Sequence, residues 1–308
     1  MSDERFLVTG ANGCIGAWAV KLLAEQGVSV VAFDASDDLH RHRLVNSGGL
    51  PDATWVRGDL TVLDDVVRAA EGVTHIVHLA ALQIPFCRAN PSLGAAVNVT
   101  GTVNVFEAAR QHGTTAIAQA SSIAVFGTVA DYAERVLPVG APRLPATLYG
   151  VYKVATEDLA KVYWAEHGVR SVGLRPHTVF GPGRDQGMTS LPSVAIERAV
   201  RREPFAVDFG GILDFQYAPD VAGAFIHAAR AKLDGAPTFN LEGHVLSVAE
   251  FVATVAAVTG FDGITVGSHQ LPVVEAASAA DWYAVAAGPR PTPLRQAIES
   301  TAAIFTAM

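Results

Sequence analysis

Three glycines spaced three apart, lying between a β-rich run and a helical one, restrict the fold of this chain most. Arg5 to Val8 is short and apolar, and Thr9-Gly10-Ala11-Asn12-Gly13-Cys14-Ile15-Gly16 follows at once. Ala17 to Gln26 has helical periodicity and stops at Gly27. Val28 to Asp34 then reads as a second strand with an acid at its end. Strand, glycine turn, helix and strand with a terminal carboxylate make a dinucleotide-binding unit. Gly10 permits the tight turn, Gly13 lets the backbone approach a pyrophosphate, and Gly16 lets the helix pack on the strand. Together with Asn12, Cys14 and Ile15 they form a phosphate seat, where free amides and about half a positive charge face the anion. Asp34 can accept hydrogen bonds from both hydroxyls of an adenosine ribose. It would repel a 2′-phosphate, and no arginine follows directly to compensate. The expected cofactor is NAD rather than NADP.

The alternation of strand and helix continues. Ala53 to Arg57 reads as a strand, closed by Gly58-Asp59-Leu60, which places Asp59 and Leu60 near the adenine side of a crevice. Leu63 to Ala70 is helical. Thr74 to Leu79 is a strand, and the small residues Ala80 and Ala81 after Leu79 would let a nicotinamide ribose lie on the backbone. Pro91 opens a long helix from about Ser92 to His112, with Asn98 in its middle. Thr115 to Ala120 is the fifth strand and runs into Ser121-Ser122-Ile123-Ala124-Val125-Phe126-Gly127, a turn beyond a carboxyl end, where ligands bind in open α/β sheets. Residues 128–147, with three prolines, read as a loop over the crevice. A helix from Leu148 and a strand from Val169 to Leu174 follow.

After Pro182 the regular alternation breaks. Ser190 to Arg202, Pro219 to Lys232, Ser247 to Val258 and Pro293 to Ala307 read as helices, and Glu250 stands at the capping-box position of Ser247. Pro204 to Asp208, Ile212 to Tyr217 and Ala236 to Leu241 read as strands. The expected division is a nucleotide-binding domain over 1–176 and a smaller, mainly substrate-binding portion over 177–308, some of whose segments can return to the first sheet.

Composition narrows the partners. A formal charge of −8 without a basic face argues against nucleic acid. His40-Arg41-His42-Arg43 is the only basic knot and reads as a solvated loop. Two cysteines, Cys14 and Cys87, cannot make a disulfide framework. No secretory leader pattern or apolar run of membrane length is present, so a soluble, cytoplasmic protein is expected. His75 and His78 have no acidic or cysteine companions at metal spacing, and no metal is expected.

Tyr149 and Lys153 stand four positions apart where a helix begins. Four residues rise about 6 Å on a helix, so phenol and ammonium share a face. A cation held close favours the phenolate and pulls the phenol pKa below about 10, making it a usable proton exchanger. The same spacing also suits a plain surface helix.

Gly10-x-x-Gly13-x-x-Gly16, Asp34, Asp59, Ser122 and Tyr149-x-x-x-Lys153 occur here in one order. Leu174-Arg175-Pro176, Phe180-Gly181-Pro182-Gly183 and Asp214-Phe215-Gln216-Tyr217 leading into Asp220 extend the pattern over nearly the whole chain. The chain resembles the extended short-chain dehydrogenase/reductase family, which includes sugar-nucleotide epimerases and dehydratases. The resemblance implies a Rossmann doubly wound parallel sheet with a smaller C-terminal α/β substrate-binding portion. It also implies Tyr149 as acid/base, Lys153 as its tuner and ribose holder, and Ser122 (or, as the alternative, Ser121) on the reacting oxygen. Asn98 would support the lysine through water, Pro176, Thr178 and Val179 would join the cofactor site, and the protein would be a homodimer. Candidate substrate contacts are Gln83, Ser122, Ile123, Ala124, His177 and Arg184, of which His177 and Gln83 could instead be structural wall and Arg184 could instead pair with Asp185.

Two departures bear on activity. Many sugar-nucleotide enzymes carry a diphosphate-gripping arginine directly before the Asp-Phe pair, and here that position is Leu213. The Asp-Glu pair of the dehydratases is replaced by Ile123-Ala124. The expectation is an NAD-dependent oxidoreductase acting on a sugar, sugar acid, polyol or similar small hydroxy compound. The alternatives are a nucleotide-sugar epimerase with tightly held NAD and a non-catalytic NAD-binding regulator.

Overall fold

A computed structural model describes residues 4–114 and 116–308. In chain order its first half holds β1 (Arg5–Thr9), α1 (Cys14–Glu25), β2 (Ser29–Asp34), α2 (His40–Val45), β3 (Thr54–Arg57), α3 (Leu63–Ala69), β4 (His75–His78), α4 (Ile84–Ala89), α5 (Pro91–Ala95), α6 (Gly101–His112), β5 (Ile117–Ala120), β6 (Val136–Leu137), α7 (Leu148–His167) and β7 (Ser171–Arg175). The second half holds β8 (Thr178–Phe180), α8 (Leu191–Val200), β9 (Phe205–Gly210), β10 (Ile212–Tyr217), α9 (Ala218–Arg230), β11 (Thr238–Asn240), β12 (His244–Ser247), α10 (Val248–Thr259), β13 (Ile264–Gln270), β14 (Ala276–Ala277), α11 (Ala280–Ala286) and α12 (Leu294–Thr306). The expected fifth strand began at Thr115, which lies outside the described residues.

Seven strands form one parallel sheet in the order β11-β7-β5-β4-β1-β2-β3. Strand order reverses beside β1, between β2 and β4, and the carboxyl ends there open into a crevice. The inner strands read as unbroken apolar runs because helices cover both faces. Phe6, Leu7 and Val8 are fully buried; Ala17, Ala19, Val20 and Leu23 of α1 share one core with Phe6 and Val8, while Leu7 joins Val66, Val105 and Phe106 in another cluster. The first core is not made by the first half alone. β11 supplies an edge strand, α9 packs Val221, Ala222 and Phe225 beneath the sheet, and Trp282 of α11 seals its rim.

A second core lies in the C-terminal half. Phe180, Phe209, Phe215 and Phe251 are buried there, with the Phe215 and Phe251 rings stacked at 4.4 Å. Each such ring contributes about 1.5–3 kcal/mol by leaving water. The Ser247–Glu250 capping box forms as the sequence implies, with Ser247 Oγ accepting from the Glu250 amide at 3.2 Å and Glu250 Oε2 accepting from the Ser247 amide at 2.8 Å.

Three expectations need correction. The basic knot at residues 40–43 is not a solvated loop. It begins α2, with His42 fully buried and its Nε2 bonded to Asn12 Oδ1 at 3.1 Å. The helix expected from Ser92 to His112 is broken by a π-helical turn, Ala96–Thr100, centred on Asn98. Within the expected loop over 128–147, β6 pairs in parallel with β14. Among the described residues no helix is long and apolar enough to cross a membrane, and no cluster of histidine, cysteine and acidic side chains fits a metal ion.

Candidate active site

The crevice has a volume of about 630 Å³ and is lined by every predicted site residue except Asn98. At its phosphate end, α1 starts from Gly13 with no side-chain cap, so the first-turn amides are left open to a ligand. Glycine is required sterically. A Cβ on Gly10, whose φ is +68°, would stand 2.6 Å from Ala80 N, and one on Gly16 would run into Gly10 O and lie 2.7 Å from Ala11 O. An uncapped helix start over a side-chain-free turn is what a pyrophosphate fits.

Asp34 lies at the end of β2. Its Oδ2 accepts the Asn12 amide and its Oδ1 accepts the Ser36 amide, each at 2.9 Å, so the carboxylate is fixed with lone pairs left for ribose hydroxyls. Asn12 ties this corner together, donating from Nδ2 to Ser36 O at 2.7 Å. Asp59 and Leu60 also line the crevice, as expected of residues on the adenine side, and Asp59 Oδ1 accepts from both the amide and the hydroxyl of Thr61 at 2.8 Å. Leu79, Ala80 and Ala81 line the crevice, as do Pro176, Thr178 and Val179.

At the reacting end, α7 opens with Thr147 capping the Gly150 amide at 3.0 Å, and this sets the rotation that turns Tyr149 and Lys153 inward. Lys153 Nζ is buried 5.6 Å from the Tyr149 ring centre and donates to Ala120 O at 2.5 Å. Burial brings the lysine pKa down to about 8, partly opposed by Cys87 and Glu157. The expected depression of the tyrosine pKa is not found in the cofactor-free chain. Burial holds the Tyr149 phenol above its usual value, against a hydrogen bond from Ser122 and the positive charge of Arg184. Lys153 is aimed past the phenol at a backbone carbonyl, so desolvation prevails.

The two serines differ in their partners. Ser121 is buried and gives its hydroxyl to Glu157 Oε1 at 2.5 Å, whereas Ser122 is half-buried, lines the crevice and contacts Tyr149. Ile123 and Ala124 line the wall beside it, and the Ala124 amide donates to Ser122 Oγ at 3.1 Å. Asn98 makes no direct hydrogen bond to Lys153. Its amide clamps the Leu82 backbone, accepting from the amide at 2.7 Å and donating to the carbonyl at 2.9 Å, and also approaches Cys87 Sγ. The π turn rotates Asn98 into that position, and no sequence signal announces it.

Gln83, His177 and Arg184 also line the crevice. The His177 ring is tied on both nitrogens, to Val274 O at 2.8 Å and Thr178 Oγ1 at 3.0 Å, and burial drops its pKa to about 4. It is a wall that holds the strap carrying Leu271 and Val273 against the crevice. Arg184 does not pair with Asp185. That carboxylate is held by Arg41 at 2.6 Å and His40 at 2.8 Å, and Arg41 also donates to Asn12 O at 2.9 Å and Gly183 O at 3.0 Å. Trp18 adds a bond to Pro182 O at 3.0 Å. A clasp therefore joins the phosphate turn to residues 182–185. Sequence reasoning missed it because its two sides lie more than 140 positions apart. Leu213, at the position expected of a diphosphate grip, is buried in the second core.

Behind the site lies a buried ion network, also missed. Arg175 donates to both oxygens of Glu157, from Nε at 2.7 Å and Nη2 at 2.8 Å, and to Val139 O and Asn240 Oδ1. Arg143 reaches the same carboxylate at 3.3 Å.

Comparison with known proteins agrees with this architecture. The description of an NAD dependent epimerase/dehydratase family matches residues 6–241. UDP-glucose 4-epimerase of Mycolicibacterium smegmatis is 30% identical over 83% of this chain and 83% of its own. Uronate dehydrogenase of Pseudomonas syringae pv. tomato is 30% identical over 58% of this chain and 64% of its own. The solved structure of MoeE5 in complex with UDP-glucuronic acid and NAD superposes with a TM-score of 0.81, at 29% identity over 97% of this chain and 98% of that one. The glycine turn, the fixed carboxylate on β2 and a family match over three-quarters of the sequence agree, and the chain belongs to the NAD dependent epimerase/dehydratase family, within the extended short-chain dehydrogenases/reductases.

Proposed function

We propose that this enzyme oxidises a secondary alcohol of a small polyhydroxy compound, or reduces the matching ketone, with NAD that exchanges between turnovers. The observation that carries this reading is the convergence of Ser122, Tyr149 and Lys153 at one end of a crevice that offers no cationic grip at Leu213. Bound NAD supplies a hydride acceptor or donor at the nicotinamide C4. In oxidation the carbinol C–H bond breaks with loss of hydride while the hydroxyl proton passes to Tyr149, leaving C=O. Ser122 hydrogen-bonds the reacting oxygen. Lys153, which donates to Ala120 O, would hold the nicotinamide ribose and favour the phenolate. Tyr149 begins as a phenol, set to protonate a carbonyl, and Ser122 and Arg184 are the groups that favour its phenolate for the reverse direction. Residues 1–176 carry cofactor and proton transfer, and 177–308 mainly shape the substrate end.

The second reading is a nucleotide-sugar epimerase that retains its NAD, favoured by the 83% coverage of the mycobacterial UDP-glucose 4-epimerase. One experiment separates them. Freshly purified protein is denatured and its released cofactor quantified, then a panel of sugars, sugar acids, polyols and UDP-sugars is tested with added NAD at 340 nm. An empty crevice with NAD-dependent turnover supports exchange. Stoichiometric NAD with isomerisation of a UDP-sugar refutes it. Tyr149→Phe should lower turnover at least about 100-fold with NAD binding kept, and near-parental turnover would remove Tyr149 from the chemistry.

We also infer a homodimer through α7, whose outer face bears an exposed apolar stripe of Leu148, Val151 and Val162. Sedimentation giving only monomer at micromolar concentration would refute this.

A further inference from the structure

Arg184 is held in the crevice without a countercharge. Among the described residues no carboxylate pairs with it, since Asp185 next door is taken by Arg41 and His40. Its Nη2 donates to Thr189 Oγ1 at 3.1 Å, but its Nε is sealed from solvent and has no partner. An unmade hydrogen bond on a buried donor costs about 1–3 kcal/mol, and more on a charged one. Native structures keep such a group where something else completes it.

Among the described residues the other basic side chains lining the crevice are occupied. Arg41 holds Asp185, Asn12 O and Gly183 O, His40 sits between Asp38 and Asp185, Lys153 holds Ala120 O, and the neutral His177 ring is bonded on both nitrogens. Position also matters. A Cβ on Gly187, whose φ is +100°, would run into Gln83 Oε1 and lie 3.1 Å from Arg184 Nη2, so these two side chains meet there. Gln83 directly follows Leu82 along the crevice wall, and Arg184 lies within electrostatic reach of Tyr149, so the meeting point adjoins the phenol as well as Cys14 at the start of α1. One planar fork with one charge matches one carboxylate, which it can hold through two parallel bonds. A diphosphate would bring more negative charge than this single free cation balances.

We propose that the substrate carries a carboxylate bound by Arg184, with Gln83 taking a neighbouring hydroxyl, so that the enzyme acts on a polyhydroxy acid in preference to its neutral counterpart. The assignment rests on the oxidoreductase reading of the same crevice and narrows it to a substrate class.

The test measures kcat and KM for D-glucuronate, D-gluconate, D-glucose and sorbitol with NAD, together with calorimetric binding of each to the NAD-loaded protein, for the parent, Arg184→Gln and Arg184→Lys. The acids should be preferred at least about 100-fold in kcat/KM. Arg184→Gln should erase that preference through KM, by about 100-fold, with NAD affinity within twofold of the parent. Arg184→Lys, which keeps charge without the fork, should recover part of it. Equal use of acids and neutral compounds would overturn the proposal. So would a loss of NAD affinity in Arg184→Gln with KM unmoved, which would assign the guanidinium to the cofactor pyrophosphate. Acid binding that is lost in Arg184→Gln, in a protein that turns over none of the four, would uphold the carboxylate site while refuting the oxidoreductase reading. Absence of acid binding would overturn the carboxylate site itself.

Discussion

Glu157→Gln should destabilise this protein more than almost any other change that preserves shape. The Glu157 side chain is 2% exposed, and it accepts two bonds from Arg175, one from Arg143 and one from Ser121. A glutamine fits the space but removes the charge and turns an NH2 group toward donors. Arg175, whose side chain is 5% exposed, would lose its countercharge and keep Val139 O, Asn240 Oδ1 and at most the single amide oxygen of the glutamine. Breaking a buried pair by removing one partner costs about 3–5 kcal/mol. That is between a fifth and the whole of a typical stability of about 5–15 kcal/mol. At about 2 °C per kcal/mol for a chain of this size, Tm should fall by about 6–10 °C. Calorimetric melts of the parent, Glu157→Gln and the double variant Glu157→Leu/Arg175→Met make the test. The double variant should regain most of the loss, because an apolar pair replaces both charges together. A single variant within about 2 °C of the parent, or a double variant worse than the single, would refute the account. Turnover should fall with stability, since Glu157 also holds Ser121 beside Ser122 and supports the Lys153 charge one helical turn away.

Two further outcomes follow from the geometry. Asp185→Asn should speed NAD release about threefold to fivefold with little change in Tm, since the clasp is partly exposed and worth about 1 kcal/mol; an unchanged stopped-flow release rate would detach the clasp from cofactor residence. Stability should also drop on acidification from pH 6.5 to pH 4. Burial lowers the pKa of His78 to about 3 and of His42 and His177 to about 4, so these rings stay neutral when folded and take up protons on unfolding. Asp214, raised to about 7, opposes this by releasing one. About two protons net are gained near pH 5, a slope of roughly 2.5 kcal/mol per pH unit, so a Tm unchanged between pH 6.5 and 5 would contradict the buried neutral histidines.

What could be read from the sequence was local. The glycine turn and Asp34 work through neighbours along the chain, and Tyr149 with Lys153 needs only the helical repeat. What could not be read depends on distant partners. Glu157 looks like any helix acid until Arg175 arrives from β7, and Arg41 looks solvated until Asp185 closes on it. Asn98 lies in a π turn because its amide is bound to Leu82, a tertiary contact. Residues 264–286 passed unread because β13 pairs with β9 and β14 with β6, both far away in sequence. The lysine effect on Tyr149 was misjudged for another reason: helical spacing gives proximity but not where Nζ points.

The seventh strand of the first sheet also has a consequence for synthesis. Asn240 lies 65 positions beyond Arg175, its partner across the sheet edge. A ribosome working at about 5–20 residues per second needs roughly 3–13 s to make that interval. Until then β7 is an unpaired hydrophobic edge, and Trp282 comes later still. The nucleotide-binding half therefore cannot finish folding as it emerges. Its completion waits for nearly the whole chain, which leaves a nascent window for chaperones or misassociation and makes C-terminal truncation a defect of the first core.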